Sequence, residues 1–503
     1  MPVLYVNTKQ HKGSIELKPD ETIASGLFRM GISVPAACGG KGTCGKCRVL
    51  IDNDWQHSCG LRPERDVCVT AFSWEENSDK MQLVGHARVK TDEQTAMREA
   101  TNNVKGQMTG KQETGDSAIM VVDLGTTTLA ASLIEENTGN VMGTLGQANH
   151  QSVFGGDVLS RMQASERGEG ENLQKIIRQD IRQLRDGLLS ICPGCVLTAI
   201  YLAGNTTMQH LFMGDSCAAL GKAPFIPVSV ERRESVLDGI PVILLPGIGA
   251  FVGADITAGM LACGMDQHAG ITMLIDVGTN GEMVLAANDR YYVTSAPAGP
   301  AFEGANLSCG MPSLPGAVCK VRIAGNRAIY RCIKEQEAVG ICGTGALELV
   351  AELLDHGLAD RNGHLKTPYD TQGYPLLAGR GKKLCFTQQD MRQIQMAKAA
   401  IRSGIEILLK KAGISPKEVD KVFLAGGFGY YMDVTKAVRI GMLPPEFAAK
   451  TRAVGNTSLQ GCMDYCMKKD ASKRMQRMIE ASCEINLAVE PEFEEIYVSH
   501  MGF

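Results

Sequence analysis

Aromatic residues make up only 5% of the sequence, and no uninterrupted apolar run reaches the ~18 residues needed to span a bilayer. The first scarcity argues against a stacking platform for single-stranded nucleic acid, and the second leaves no expected membrane helix. Excess positive charge is also missing. The formal net charge is −4, so neither nucleic acid nor an anionic membrane is an expected partner. The chain starts Met1-Pro-Val-Leu-Tyr, without a basic stretch leading into an apolar one, and the expected location is the cytoplasm. Three motifs are absent as well. Without G-x-x-x-x-G-K-[ST] the chain is not a P-loop enzyme, and without a G-x-G-x-x-G and following acid in the Rossmann arrangement it is not a Rossmann enzyme. The lack of a C-x2-C-x2-C-x3-C run excludes a bacterial-type [4Fe-4S] pair.

What is abundant is cysteine and glycine, with 17 and 56 residues. In a reducing compartment so many cysteines are thiols or metal ligands, and the glycines point to several tight turns. A length of 503 residues exceeds one core, so several domains are expected. Residues 1–72 alternate like short strands around a possible helix at Thr22 to Met30. A polar stretch, 73–116, reads as a linker. Beyond it, strand and helix signals alternate, which predicts an α/β body of parallel sheets with crossover helices. Helices are expected at Leu173 to Leu189, Gly345 to His356, Asp390 to Ala412 and Ser472 to Asn486.

Cys38-Gly-Gly-Lys-Gly-Thr-Cys44-Gly-Lys-Cys47 places three thiolates on one short loop, with C-x5-C-x2-C spacing. The glycines leave backbone N–H groups free to turn towards cluster sulfurs, and the spacing suits a [2Fe-2S] centre better than zinc, which usually takes two C-x2-C pairs or histidines. A fourth thiolate is needed. Cys68, in Asp66-Val-Cys-Val-Thr-Ala-Phe, is favoured, with Cys59 as the alternative. Cys192 and Cys195, and Cys462 with Cys466, read as packing cysteines.

Two strand–turn units look alike: Asp123-Leu-Gly-Thr-Thr-Thr128 after Ile119 to Val122, and Asp276-Val-Gly-Thr-Asn-Gly-Glu282 after Thr272 to Ile275. Each puts an acid at a strand end, then a glycine turn with hydroxyls. The backbone and hydroxyls suit phosphate, and the aspartate can favour phosphate only through Mg²⁺, usually by way of metal-bound water. Gly125, Thr126, Thr127, Thr128, Gly278, Thr279 and Asn280 are thus candidate phosphate contacts, with Asp123 and Asp276 as candidate catalytic acids. Leu424-Ala-Gly-Gly-Phe-Gly429 suits a nucleoside, with Gly426, Gly427 and Phe428 at its border. Gly340-Ile-Cys-Gly-Thr-Gly345 opens an apolar helix, making Gly343 and Gly345 candidates for a helix-N-terminal anion site.

Together these turns resemble the acetate and sugar kinase, heat-shock chaperone and actin superfamily, which implies a duplicated, actin-like ATPase body divided at 117–270 and 271–503. Leu202-Ala-Gly-Asn205-Thr-Thr-Met-Gln-His-Leu211, Phe251-Val-Gly-Ala-Asp-Ile256, Ala298-Gly-Pro-Ala-Phe-Glu-Gly-Ala305 and Gly455-Asn-Thr-Ser-Leu459 narrow the likeness. They are similar to the ATP-dependent reductive activators of corrinoid-dependent methyltransferase systems, which join a ferredoxin domain to such a body. The resemblance implies an ATP-driven, one-electron reduction of Co(II) to Co(I) on a corrinoid protein. It also implies a low-potential donor (ferredoxin, flavodoxin or reductase), a homodimer, and a place for Asn205 in the nucleotide site. The span to the fourth cysteine is more compact than in some relatives. Competing readings are a small-molecule kinase with an added electron carrier, for which Asp255 or Glu303 would serve as base, a chaperone-like ATPase, or an activator of another metalloenzyme.

Overall fold

The computed structural model describes residues 1–8, 11–30, 32, 34, 47–73, 117–325, 327–376 and 384–503. Cys38, Cys44 and the linker stretch from 74 to 116 lie outside them.

The N-terminal unit is one five-stranded sheet. Its strands are β1 (Val3–Asn7), β2 (Lys12–Glu16), β3 (Arg48–Ile51), β4 (Asp54–His57) and β5 (Val67–Phe72), in the order β2-β1-β5-β3-β4. The helix Ile23–Arg29 packs on it, capped by the Thr22 hydroxyl, and buries Ile23, Ala24 and Leu27 with Leu4, Val49 and Val69. Helix and core thus match the alternation seen in the sequence.

The body repeats one topology twice. In the first half, β6 (Ser117–Leu124), β7 (Thr128–Glu135) and β8 (Val141–Ala148) form an antiparallel meander. β9 (Val196–Gly204) and β11 (Ile240–Leu244) then add in parallel beside β6, and β10 (Arg233–Leu237) forms the edge, giving β10-β11-β9-β6-β7-β8. In the second half, β12 (Thr272–Val277), β13 (Gly281–Ala287) and β14 (Arg290–Ala296) repeat the meander. A small sheet of β15 (Ala317–Ala324), β16 (Arg327–Cys332) and β17 (Gly340–Ile341), and the pair β18 (Tyr374–Pro375) and β19 (Cys385–Phe386), are inserted there. β20 (Lys421–Ala425), β21 (Thr451–Gly455) and β22 (Ser482–Glu484) then complete β21-β20-β12-β13-β14-β22. The orders β11-β9-β6-β7-β8 and β21-β20-β12-β13-β14 correspond strand for strand.

The expectation of parallel sheets with crossover helices is therefore corrected to mixed sheets. The reason is the length of the glycine turns. Residues 125–127 and 278–280 are too few to carry a crossover, so they join antiparallel neighbours. Helices form at Gly170–Ile191, Gly343–Asp355 and Gln388–Ala412, close to expectation. The expected helix at Ser472 to Asn486 stops at Glu480, because the chain turns there to add β22 beside β14.

The two halves share a core. Helix Ala254–Ala262, from the first half, and helix Thr457–Met467, from the second, pack together, burying Ile256, Met260 and Leu459 in one cluster with Val121 and Leu274. Glu484 on β22 reinforces the junction, accepting hydrogen bonds from the backbone N–H groups of Phe251 (2.9 Å) and Val252 (3.0 Å). No helix among the described residues is long and apolar enough to cross a membrane.

Candidate functional site

Because each glycine turn joins the first two strands of its sheet, the duplicated topology brings both turns to one cleft. The Thr127 and Thr279 hydroxyl oxygens lie 3.0 Å apart, although 152 residues separate them. Both hydroxyls donate to the same oxygen of Glu303, at 2.8 and 2.9 Å. One carboxylate oxygen thus occupies the point where hydroxyls from both turns converge, a position suited to a phosphate oxygen.

Beneath these hydroxyls the cleft is crowded with acids. Asp123, Asp255, Asp276 and Glu303 are half-buried, and Glu282 is buried. Burial, then the charges of Asp123, Asp255 and Glu303, push the Asp276 carboxyl up to about 8. Burial and Asp123 push Asp255 up to about 7. Burial raises Asp123 too, against hydrogen bonds from Asn456 Nδ2 (2.7 Å) and Ser458 Oγ (2.9 Å). Carboxylates packed this closely ionise fully only when a cation joins them. Among the described residues no three acidic, histidine or cysteine side chains converge as a ready cage. Mg²⁺ needs no such cage, since it keeps several waters and binds through one or two carboxylates plus phosphates. Asp123 and Asp276, at equivalent strand ends, fit such an ion.

The other expected site residues divide into those that face the cleft and those that shape it. Thr128 is exposed at the start of β7. Thr126 is buried, its hydroxyl accepting a hydrogen bond from Asn205 Nδ2 at 3.0 Å, so Asn205 braces the first turn. Gly125 is required by that turn, since a Cβ there would lie 2.2 Å from the Thr128 carbonyl oxygen. In the second turn the Gly278 N–H donates to the Asn280 carbonyl at 2.9 Å. Gly426 has φ +85°, and its Cβ would meet Asp276 Oδ1 at 2.6 Å, which sets the third glycine loop directly on the second acid. Gly427 faces open space. Phe428 turns inward and stacks on Phe302, ring centres 4.6 Å apart, so it supports the loop from beneath. Gly343 and Gly345 allow the helix Gly343–Asp355 to press on the Phe302 and Val318 carbonyls, a close-packing requirement.

Asn456, Ser458 and Glu282 were not singled out as site residues from sequence. Asn456 and Ser458 lie more than 330 positions from the acid they hold. The available signals are the family-like segment Gly455-Asn-Thr-Ser-Leu459 and its cap pattern at a strand-to-helix junction, neither of which points to Asp123.

In the N-terminal unit, Cys47 is buried and its Sγ lies 3.1 Å from Cys59 Sγ and 3.9 Å from His57 Nδ1. Two thiolates on one tetrahedral metal with bonds of about 2.3 Å sit roughly 3.8 Å apart, so the pair is close to ligating separation. The Cys59 contact, opposed by burial and aided by His57, brings the Cys47 thiol down to about 5. Cys68 is elsewhere. On the central strand β5, Val69 pairs with Ile51 and Phe72 with Val49, so Cys68 sits at the end of the ladder away from Cys47. At ~3.3 Å per residue the two are roughly 15–20 Å apart. The preference for Cys68 is therefore corrected on geometry. Its sequence setting indicated a strand correctly, but strand register carries it away from the cysteine loop.

Fold and site together define a two-lobed, actin-like ATPase body joined to an iron–sulfur domain. Family descriptions match in the same arrangement: a 2Fe-2S iron-sulfur cluster binding domain over residues 6–71, the RACo middle region over 119–268, and the C-terminal ASKHA domain of RACo over 270–503. The chain is 32% identical over 416 residues to the corrinoid activation enzyme RamQ of Eubacterium limosum, covering 76% of this chain and 69% of that protein. It is 28% identical over 428 residues to the [Co(II) methylated amine-specific corrinoid protein] reductase of Methanosarcina barkeri, covering 76% of each. The solved structure of a reductive activator for a corrinoid iron–sulfur protein superposes over 100% of this chain and 98% of its own, with a TM-score of 0.72 and 24% identity. The chain belongs to the family of corrinoid activation enzymes.

Proposed function

We propose that this chain is an ATP-dependent reductive activator that returns a corrinoid protein from inactive Co(II) to Co(I) by one-electron reduction, supporting a methyltransferase or O-demethylase system. One observation carries the reading. Hydroxyls from two equivalent hairpins meet at 3.0 Å over an acid-rich floor, on a chain that also has a cluster-binding domain.

A bound [2Fe-2S] cluster supplies one-electron relay chemistry. We assign Cys47 and Cys59 as two of its thiolates, with Cys38 and Cys44 completing the set. Asp123 and Asp276 hold Mg²⁺, mostly through water, while Thr127 and Thr279 exchange Glu303 for phosphate oxygens. Gly426 and Gly427 border the nucleoside. Asn205, Asn456 and Ser458 keep the first turn and its acid in place. Binding energy can drive an uphill reduction only by favouring one conformation over another, and closure of the two lobes on triphosphate is that preference.

The electron comes from a low-potential ferredoxin, flavodoxin or reductase, and the working unit is a homodimer. The chain divides into the cluster domain (1–72), linker (73–116) and two body halves (117–270 and 271–503). Buried thiols such as Cys217, Cys263 and Cys342 suit a reducing compartment, the cytoplasm. The test is ATP hydrolysis with and without a Co(II) corrinoid protein. Stimulation by that protein is expected. Hydrolysis indifferent to it, with phosphate appearing on a small alcohol instead, would make the chain a kinase.

A further inference from the structure

The N-terminal domain touches the body through a small apolar contact. Phe28, on the outer side of the helix Ile23–Arg29, packs edge-on against Phe154, ring centres 6.3 Å apart. Val153 beside it packs against the same domain's core. The N-terminal end of that helix is tied to the segment carrying Cys59, for the Ala24 N–H donates to the Ser58 carbonyl at 3.0 Å.

The body's side of the contact is tied to the first phosphate turn. Val153 ends a short 3-10 turn, His150–Val153, capped by Asn149. Asn149 Nδ2 donates to the Gly125 carbonyl at 2.9 Å, and its backbone N–H to the Thr127 carbonyl at 2.9 Å. Arg161 Nη2 donates to the Thr126 carbonyl at 2.6 Å, its Nε to Gly155 at 2.9 Å and its Nη1 to Gln151 Oε1 at 3.3 Å. Gln151 in turn is held by Asn149 Oδ1, which accepts its N–H at 3.0 Å. All three side chains are essentially sealed from solvent: Asn149 and Gln151 are 1% and 0% exposed, and Arg161 0%. A buried guanidinium cannot replace a lost carbonyl with water, so a shift of the turn at Gly125 and Thr126 must move the segment 149–155 with it.

We propose that Val153 and Phe154 form a nucleotide-sensitive docking site for the cluster domain, released when triphosphate occupies the turn Gly125 to Thr128. The inference rests on the ATP-site reading and adds to it a route from nucleotide to cluster position. Entry of phosphate displaces Glu303 from Thr127 and re-aims the turn's peptide groups, and the buried network transmits that change to Phe154. By linkage, if nucleotide weakens docking, loss of docking strengthens nucleotide binding by the same factor.

The test uses the full chain with its cluster loaded, a non-hydrolysable ATP analogue and Mg²⁺. Calorimetry first measures analogue binding, and hydrogen exchange then follows segments 23–29 and 149–154. Exchange in both segments should rise on binding. Phe28→Ala, a change at a half-buried position, should show the raised exchange at 23–29 without nucleotide and bind the analogue about five-fold or more tightly. Phe154→Ala should behave alike. Analogue that binds with exchange unchanged or lowered, or with wild-type affinity in both variants, overturns the docking proposal while leaving the ATP site standing. Analogue that does not bind overturns both.

Discussion

At the scale of residues, the proposed chemistry rests on two groups. In the cleft, burial, then the charges of Asp123, Asp255 and Glu303, push the Asp276 carboxyl up to about 8, so a cation held there would favour its ionised form. Asp276→Asn should lower the Mg²⁺ affinity of the nucleotide complex roughly 10- to 100-fold, measured by titrating Mg²⁺ against nucleotide binding. In the N-terminal domain, the 3.1 Å approach of Cys47 and Cys59 makes Cys59→Ser the damaging change. Cys59→Ser should lose the visible absorption of the [2Fe-2S] centre, whereas Cys68→Ser should keep it. The opposite pattern would return the fourth ligand to Cys68. The three-cysteine motif and the two strand-end aspartates are local patterns, so sequence alone is enough to nominate them. A fourth thiolate is not nominated that way, since choosing between Cys59 and Cys68 depends on how β5 registers with β3.

At the scale of elements, the glycine turns and the helices that brace them decide the geometry. Gly426 combines φ +85° with a Cβ position 2.6 Å from Asp276 Oδ1. Gly426→Ala should cost about 1–2 kcal/mol from the left-handed backbone alone, seen as a lower melting temperature, and should weaken nucleotide binding further by displacing the acid. The helix Thr206–Met213, whose cap Asn205 holds Thr126, carries the buried His210. Its Nδ1–H donates to the Thr206 carbonyl at 2.7 Å and its Nε2 accepts from the Val228 N–H at 2.9 Å, so the neutral ring is the bonded form. Burial lowers its affinity for a proton and Arg233 adds to this, while the Thr206 carbonyl and Asp215 oppose it. The unfolded chain binds that proton more readily, so stability is full above the ordinary value of 6.5 and falls as pH drops below it. His210→Gln should flatten that acid limb in melting curves taken between pH 7 and about 5. The turns were readable as turns, but their antiparallel partners were not, because apolar runs alone cannot distinguish the two kinds of neighbour.

At the scale of the molecule, duplication explains why one cleft has two matched turns, and the shared core of helices Ala254–Ala262 and Thr457–Met467 joins the two halves. Glu484 across that junction and Thr127 against Thr279 at the cleft mouth are the contacts that the proposed closure on nucleotide would load. The order of the units, cluster domain before ATPase body, was apparent from a change in texture along the chain. The acid-rich floor was only partly so: Asp123 and Asp276 open their motifs at strand ends, whereas Glu282, at the end of the second motif, becomes notable only when folding buries it near Asp255 and Asp276. The measurement that bears most directly on the whole is the Co(I) absorbance of a Co(II) corrinoid protein mixed with the reduced activator, with and without Mg²⁺-ATP. Co(I) should accumulate with ATP and fail to do so without it or with Asp276→Asn. Equal Co(I) formation in the presence and absence of ATP would contradict the account.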